Sequence, residues 1–307
     1  MTKNLVASVR QRLLNLARER GEDFQYVLIR YGLERLLYRL ASSDVRDRFV
    51  LKGAALFVLW SDQPHRATRD LDLLGSGDNS IPHMEEVFRR LCQIHVEDDG
   101  LVFLSDTVRG QVISADEEYE GLRVTLTAML GKATIPIQVD IGFGDVVTPA
   151  PKIVEYPVLL DLPAPKLPAY PMETVVAEKL QAMVELGMGN SRMKDFFDLW
   201  VIGHQFEFDG ELLARAIGAT FERRRTTLPA ETPLALTDTF SSDPGKQTQW
   251  RAFVRRIHPR STAVPAGLEE ICTFLAGFLM PPMRSTAGAT SQMTWLAGGP
   301  WTSQGKE

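Results

Sequence analysis

The chain of 307 residues contains only two cysteines, Cys92 and Cys272, which lie far apart in the sequence. Closely spaced cysteines would indicate a disulfide framework or a zinc site, so this spacing favours reduced structural thiols. The chain also lacks any apolar run of the ~20 residues that a membrane-spanning helix needs. Its first residues lead into a charged segment, which is not typical of a signal peptide. These absences predict a cytoplasmic protein without membrane spans.

The net charge of −5 gives no excess of positive charge, which argues against a surface that binds nucleic acid everywhere. The basic residues are nevertheless clustered. Such clusters either attract a polyanion such as RNA or are ordinary solvated helix faces, and the charge pattern alone favours the second. One cluster comprises Lys3, Arg10, Arg12, Arg18, Arg20, Arg30, Arg35, Arg39, Arg46 and Arg48, and the other comprises Arg223, Arg224, Arg225, Arg251, Arg255, Arg256 and Arg260.

The order of the predicted elements indicates an α+β protein with a small mixed sheet and a helical C-terminal half. Apolar spacing predicts N-terminal helices, and a period of two predicts a strand from Arg69 to Leu74. Two further strands, 122–130 and 135–141, form an expected antiparallel hairpin across Gly131-Lys132. Residues 146–171 are rich in proline and are predicted to be extended. Helices are expected over 53–60, 84–95, 172–187, 192–206, 211–224, 247–257 and 268–279.

The proline-rich connection is the predicted boundary between domains. We expect a core with N-terminal helices over residues 1–150 and a helical domain over 151–280 that completes the active-site cleft. The remaining residues, 281–307, are mostly small and polar, and this composition predicts a loosely ordered tail.

The pair of carboxylates at Asp70 and Asp72 is the strongest candidate for a site of chemistry. Residues i and i+2 of a strand point to the same face, so both acids project together while Leu71 anchors the opposite face. Like charges side by side are unfavourable unless a cation lies between them. Mg²⁺ typically binds one or two carboxylates together with substrate phosphates and water. A single pair of this kind also occurs by chance on exposed strands.

Asp140 is a candidate for a third carboxylate. It ends an apolar-rich strand, and if that strand lies beside the 70–74 strand, the three acids would hold two Mg²⁺ ions roughly 4 Å apart for displacement at phosphorus. The alternative is an acid at a strand end that faces water. Asp145 lies beyond two glycines and fits the role less well.

The segment Lys52-Gly53-Ala54 is a candidate for nucleotide binding. It comes just before a predicted helix, where glycine lets backbone N–H groups approach a phosphate and where a helix N-terminus favours anions. Glycine before a helix is also common without a ligand.

Three further charged residues are candidates in the helical half. Lys179 falls inside the apolar arc of its helix, so its ammonium either extends to the surface or reaches an anion, and we expect the anion to be a triphosphate. Arg192 and Asp195 follow after a short turn. Lys194 and Asp198 are spaced for an ordinary i, i+4 salt bridge.

Four motifs together resemble the nucleotidyltransferase toxins of the AbiE abortive-infection class, which belong to type IV toxin–antitoxin systems. The first motif is Phe49-Val50-Leu51-Lys52-Gly53-Ala54-Ala55-Leu56 and the second is Arg66-Ala67-Thr68-Arg69-Asp70-Leu71-Asp72. The third and fourth are Glu178-Lys179-Leu180-Gln181-Ala182 and Arg192-Met193-Lys194-Asp195-Phe196-Phe197-Asp198-Leu199. The opening segment, 10–24, is also similar, so the resemblance covers roughly residues 5–205.

The resemblance implies a DNA-polymerase-β-like nucleotidyltransferase core that binds a nucleoside triphosphate with Mg²⁺, or with Mn²⁺ in its place. Related toxins modify the acceptor end of tRNA and block translation, and a cognate antitoxin protein restrains them. Asp70 and Asp72 would hold the metal and Lys179 would contact phosphates. The residue that matches Asp195 is essential in the family and orients or activates the nucleophile. The basic clusters would bind the RNA backbone.

This chain departs from the family pattern in its first motif, where Gly53 is followed by Ala54 and not by serine or glycine. The missing hydroxyl removes one phosphate contact. The spacing from Gly53 to Asp70 is also somewhat long. Two alternatives therefore stay open: a nucleotidyltransferase that modifies a protein or a small molecule, and a non-catalytic relative that binds a partner.

Overall fold

The structure is a computed structural model that describes residues 3–61, 66, 68–116, 119–257, 264, 265, 267–286 and 293–303. The chain forms two compact units. Unit 1 comprises Met1–Gly144 and Lys152–Tyr170, and unit 2 comprises Asp145–Pro151 and Pro171–Glu307. The predicted boundary at residue 150 differs from this division, because most of the proline-rich connection belongs to unit 1.

Unit 1 is built from helices and one mixed sheet. Its helices are α1 (Lys3–Arg20), α2 (Phe24–Ala41), α3 (Phe57–Trp60) and α4 (Ile81–Gln93). Its strands are β1 (Phe49–Lys52), β2 (Leu71–Gly75), β3 (Leu101–Asp116), β4 (Tyr119–Leu130), β5 (Ala133–Phe143), β6 (Lys152–Glu155) and β7 (Lys166–Ala169).

The seven strands described in unit 1 pair in the order β3-β4-β5-β2-β1-β7-β6. Two neighbouring pairs, β2 with β5 and β1 with β7, are parallel, and the remaining pairs are antiparallel. The predicted α+β class with a mixed sheet is therefore confirmed, although the sheet is larger than expected. β2 lies between β1 and β5, so the centre of the sheet carries the residues of the first two motifs.

β5 alternates apolar and polar residues, so its apolar side chains lie on one face of the sheet. This face is buried against helices. Ile135, Ile137 and Val139 are buried, whereas the residues between them are more exposed. At Gly32 the helix α2 approaches these isoleucines so closely that a Cβ would lie 2.7 Å from Ile137 Cδ1. The opposite face is thereby left for the polar side chains of β2, β4 and β5.

The predicted hairpin is confirmed as β4 and β5, with Gly131 at a φ of +61° in the turn. The predicted helix through Trp60 is confirmed only in part, because a 3₁₀ turn, Gly53–Leu56, precedes the four-residue α3. The short strand β1 before it was not predicted. The long strand β3 was not predicted. The proline-rich connection contains the short strands β6 and β7.

Unit 2 is predominantly helical, as predicted. Its helices are α5 (Met172–Leu186), α6 (Met193–Gln205), α7 (Gly210–Arg223), α8 (Asp238–Ser241), α9 (Pro244–Arg256) and α10 (Leu268–Ser285), and its strands are β8 (Phe208–Asp209), β9 (Met293–Trp295) and β10 (Trp301–Ser303). Aromatic rings fill its core. Phe196 stacks on Phe240, and Phe197 packs against Trp200 and Trp250.

The expectation of a loosely ordered tail after residue 280 is wrong for the residues that the structure describes. Helix α10 continues through two prolines to Ser285, and β9 pairs with both β8 and β10. Trp295 is buried and its Nε1 donates a hydrogen bond to the carbonyl of Gly203. Trp301 Nε1 donates to the carbonyl of Phe278. The prediction of a loosely ordered tail rested on the small and polar residues of the segment and did not include the packing of these two indole rings.

Within the described part of the chain, none of the helices combines the length and the apolar composition that a bilayer crossing requires.

Candidate active site

A row of charged residues crosses the centre of the unit 1 sheet. Asp72 on β2 lies opposite Lys52 on β1 and opposite Asp140 on β5, and Asp140 in turn lies opposite Arg123 on β4. Residues directly opposite one another in neighbouring strands share a face of the sheet. The four residues therefore project from the same face, away from the buried isoleucines of β5.

Asp72 occupies a position that depends on Gly53. Gly53 has a φ of +70°, and the side chain of Asp72 fills the space that a Cβ at residue 53 would take. The Asp72 Cβ itself would lie 2.7 Å from such an atom. Glycine at this position therefore serves two purposes, because it allows the left-handed backbone and leaves room for the carboxylate.

Asp70 immediately precedes β2 and alternates with the buried Leu71, as predicted. Thr68 Oγ1 donates a hydrogen bond to Asp70 Oδ1 at 2.5 Å. This local bond fixes the carboxylate just before the strand begins. Asp70 and Asp72 are both partly exposed, so a solvated ion can reach them.

The prediction that Asp140 lies beside the first acid pair is confirmed by its pairing with Asp72. Its side chain is not turned to water, because both of its oxygens accept hydrogen bonds from Arg123. Nε reaches Oδ1 and Nη2 reaches Oδ2, each at 2.8 Å. The hydrogen bond to Asp140, followed by the charges of Asp140, Asp70 and Asp72, raises the pKa of Arg123.

Among the residues that the structure describes, no group of three acids, histidines or cysteines is arranged as a metal site. The expectation that Asp70, Asp72 and Asp140 together hold metal is therefore not met by this geometry. Asp70 and Asp72 still fit a single Mg²⁺, since this ion is commonly held by two carboxylates with the remaining ligands from phosphates and water.

The turn from Gly53 differs from the predicted phosphate-binding helix. It is a single 3₁₀ turn that leads into only four α-helical residues, so the dipole of a long helix is absent here. Lys52 lies with its Nζ 5.3 Å from the centre of the Tyr170 ring. Ala54 is 6% exposed, so the side chain that lacks the family's hydroxyl is buried.

In unit 2, Lys179 joins two carboxylates of the following helix. Its Nζ donates hydrogen bonds to Asp195 Oδ1 at 2.5 Å and to Asp198 Oδ2 at 2.9 Å. The Asp195 and Asp198 side chains are 2% and 0% exposed. The prediction that Lys179 reaches an anion is therefore correct, but the anions in this structure are two carboxylates of the protein.

Arg192 also contacts this cluster. Its Nε lies 2.8 Å from Asp195 Oδ2, although the two groups are not aligned for a hydrogen bond. The interpretation of Lys194 and Asp198 as a surface pair is wrong, because Asp198 is buried and bonded to Lys179 while Lys194 is exposed. Lys179, Arg192, Asp195 and Asp198 together carry two positive and two negative charges.

Several arginines of the predicted basic clusters are not available to a polyanion. Arg35 and Arg39 are buried in α2, where both donate hydrogen bonds to the buried Asp99. Arg30 pairs with Glu22. In the second cluster, Arg224 pairs with Asp145, and Arg260 lies outside the described residues. The exposed members of α1 are Arg10, Arg12, Arg18 and Arg20.

Two residues of unit 1 were missed by sequence reasoning. Arg123 could have been found, because the two-residue turn at Gly131-Lys132 fixes the hairpin pairing and so places Arg123 opposite Asp140. No comparable feature of the sequence indicates that Glu34 is buried. It is 2% exposed, and burial, opposed by a hydrogen bond from the Leu159 N–H, raises its pKa to about 7.

Comparison with known families shows that the protein belongs to the class of nucleotidyl transferases. The matching family model, described as the nucleotidyl transferase AbiEii toxin of type IV toxin–antitoxin systems, covers residues 35–275. The chain belongs to this family. The match begins after the resembling segment 10–24 and extends well beyond residue 205, so it includes all four motifs and most of unit 2. No curated protein matches the sequence.

Two solved structures from Helicobacter pylori are similar over most of the chain. JHP933 is 13% identical, with a TM-score of 0.48 over 86% of this chain and 94% of its own. A protein described as a candidate nucleotidyltransferase is also 13% identical, with a TM-score of 0.49 over 86% of this chain and 97% of its own. The mixed sheet and the family membership agree with the predicted DNA-polymerase-β-like nucleotidyltransferase core.

Proposed function

We propose that the protein transfers a nucleotidyl group from a nucleoside triphosphate to a hydroxyl of tRNA, at a site on the sheet of unit 1 that uses Mg²⁺ or Mn²⁺. The observation that carries the proposal is the position of Asp72. Its carboxylate lies against Gly53 and between Lys52 and Asp140, where the second motif meets the first.

In the proposed reaction, the acceptor oxygen forms a bond with the α-phosphorus while the bond from that phosphorus to its bridging oxygen breaks. Pyrophosphate leaves and the hydroxyl proton passes to solvent or to a nearby base. Asp70 and Asp72 would hold the metal, which neutralises charge on the triphosphate. Lys52 and the backbone N–H groups after Gly53 would bind phosphate oxygens, so Ala54 needs no hydroxyl for this role.

The residues of unit 2 would act on the nucleotide through cationic groups. Lys179 and Arg192 are the proposed phosphate contacts. Asp195 accepts a hydrogen bond from Lys179 and lies against Arg192, which supports a role in holding these two cations in place. This assignment favours the orienting role for Asp195 over direct activation of the nucleophile, because its carboxylate is 2% exposed.

The tRNA acceptor, the cognate antitoxin and the cytoplasmic location are further parts of the proposal. Family membership supports an antitoxin partner and a nucleotide substrate. The exposed arginines of α1 support an RNA acceptor, because clustered positive charge attracts the phosphate backbone. Modification of a protein or small molecule remains the second candidate. A non-catalytic relative is less favoured, since its one support, Ala54, is a buried side chain.

The test is to incubate the purified protein with labelled triphosphates, Mg²⁺ and total tRNA. We expect labelled tRNA with the wild-type protein, none with Asp72→Ala, and unchanged labelling with Asp161→Ala, an exposed acid of the same unit. Label on protein or on a small molecule would replace the tRNA acceptor in the proposal. No label with any triphosphate would overturn the transferase activity itself.

A cellular test uses growth. We expect expression of the wild-type protein to slow growth and to inhibit translation, and we expect Asp72→Ala, Lys179→Ala or Asp195→Ala to relieve the effect. Protein abundance must be measured in the same cells. Toxicity that persists in all three variants at equal abundance contradicts the assigned roles.

A further inference from the structure

Arg123 holds the third carboxylate of the candidate site by a two-pronged ion pair. Its Nε and Nη2 each lie 2.8 Å from one oxygen of Asp140, which is the planar geometry in which guanidinium and carboxylate bind most strongly. Both residues are fixed by the pairing of β4 with β5. The strand pairing therefore places the two residues directly opposite each other, within reach of this ion pair.

The same contact takes Asp140 away from a metal ion. Both of its oxygens are engaged by the guanidinium, and a divalent cation next to it would be repelled by the positive charge of Arg123. Asp70 and Asp72 are the metal ligands of the proposed function, and both are partly exposed. Among the three acids, Asp140 is therefore the one whose two oxygens are occupied by an arginine.

The guanidinium also has donors left over. Nε and Nη2 face Asp140, and Gln138 lies beside them at 3.3 Å when its amide is oriented to accept. Nη1 donates to no acceptor among the described residues, and the Arg123 side chain is 32% exposed. Two N–H groups on a fixed, positively charged plane are thereby available for an anionic oxygen.

We propose that the site uses a single divalent cation on Asp70 and Asp72, and that Arg123 supplies the second positive centre by donating from Nη1 to a phosphate oxygen of the substrate. Asp140 is then a positioning residue for Arg123 and does not bind metal. This inference rests on the proposed nucleotidyl transfer and specifies how its charges are neutralised. With an arginine at this position, a second metal ion does not have to bind for each turnover.

The test counts bound Mn²⁺ by electron paramagnetic resonance, using the full chain with one equivalent of a triphosphate analogue that cannot be cleaved between the α and β phosphates. We expect one Mn²⁺ per complex for the wild type and also for Asp140→Asn. Asp72→Ala should release the ion from the protein. Two Mn²⁺ ions in the wild type and one in Asp140→Asn would overturn the inference.

Arg123 is tested by the affinity for the same analogue, measured by calorimetry. We expect Arg123→Gln to weaken binding about tenfold, Arg123→Lys to restore part of it, and Lys152→Gln, an exposed cation of the same sheet, to change nothing. Asp140→Asn should lower kcat at saturating nucleotide with its Mn²⁺ count unchanged. Unaltered affinity in a folded Arg123→Gln protein would also overturn the inference.

These outcomes are separate from a failure of the proposed function. If the wild-type protein binds no triphosphate analogue, the proposed nucleotidyl transfer fails and the inference fails with it. If it binds the analogue and labels an acceptor but carries two Mn²⁺ ions, only the role of Arg123 fails.

Discussion

Lys179 and Asp198 form a buried ion pair between two helices, with 2.9 Å from Nζ to Oδ2. The same ammonium also bonds Asp195. Removal of one partner of a buried pair leaves a desolvated charge, which typically costs about 3–5 kcal/mol. We therefore expect Lys179→Ala to lower the free energy of unfolding by that amount, measured by urea denaturation. Lys194→Ala is the matched control, because this neighbouring lysine is exposed, and it should change stability by less than about 0.5 kcal/mol.

This pairing affects how activity data are interpreted. Loss of toxicity in Lys179→Ala therefore has two sources to separate, the loss of stability and the loss of a proposed phosphate contact. A variant that combines Lys179→Met with Asp195→Asn and Asp198→Asn removes the charges together, and we expect it to be more stable than Lys179→Ala. If that folded variant retains full transferase activity, the three residues have a structural role only.

Gly53→Ala should strongly lower activity with a modest loss of stability. The substitution places a Cβ in the left-handed region and against the carboxylate of Asp72. We expect at least about a hundredfold loss in kcat/KM, because a displacement of this size at a reacting centre commonly costs that much. Gly21→Ala is the control, since Gly21 has a φ of +62° with no atom within 4 Å of the added Cβ. Equal activity losses in both variants would contradict the role of the Asp72 contact.

Glu34 should make the protein less stable as the pH rises. Burial raises its pKa from 4.5 to about 7 in the folded protein, opposed by the N–H of Leu159 and by the charges of Arg35 and Arg30. Between these values the folded state binds more protons than the unfolded state, so the stabilising contribution is complete below pH 4.5 and is lost as the pH passes through 7. The shift corresponds to about 3 kcal/mol.

The measurement compares wild type with Glu34→Gln by urea unfolding from pH 5 to pH 8. Other titrating groups contribute equally to both proteins, so they cancel in the difference. We expect the variant to gain stability relative to wild type as the pH increases. A difference that is constant across this range would show that Glu34 is already ionised at pH 5.

The tail should be necessary for the stability of unit 2. Trp295 is buried, and its ring centre lies 4.8 Å from that of Phe278 and 5.4 Å from that of Trp301. Trp295→Ala removes these contacts and the hydrogen bond to Gly203, and we expect a loss of about 3–5 kcal/mol. Leu296→Ala is the control because Leu296 is 46% exposed. Equal stability of the two variants in urea would contradict this packing.

Both thiols should be unreactive at pH 8. Burial raises the pKa of Cys272 to about 12 and that of Cys92 to about 11, so little thiolate forms at either position. We expect slow labelling by iodoacetamide in the native protein and rapid labelling of two thiols in urea. Rapid labelling without denaturant would show that one site opens in the folded state.

The sequence allowed the prediction of features that depend on near neighbours. The turn at Gly131-Lys132 and the alternation in β5 were sufficient for the hairpin, and the spacing of Asp70 and Asp72 predicted their common face. Strand β3 was missed because its middle, Ser105 to Gly110, carries charged and small residues where the pairing with β4 shifts register. The local pattern of apolar and polar residues contains no information on such a shift in strand register.

Burial of charge was the second feature that the sequence did not reveal. Arg35 and Arg39 were assigned to a basic surface because their buried partner, Asp99, lies far along the chain. Lys179 was assigned to a phosphate because it falls inside the apolar arc of its own helix, and its carboxylate partners lie on the following helix. In both cases the opposite charge comes from another element, and only the tertiary structure identifies it.

The parallel pairing of β2 with β5 also determines when the charged row can assemble during synthesis of the chain. Lys52 and Asp72 are translated early, but Asp140 and Arg123 join them only after the whole hairpin has left the ribosome. Strand β1 then gains its outer neighbour, β7, later still. Pairings between distant segments form slowly because a long loop must close first. A nascent chain therefore lacks the assembled charged row until β5 has been translated.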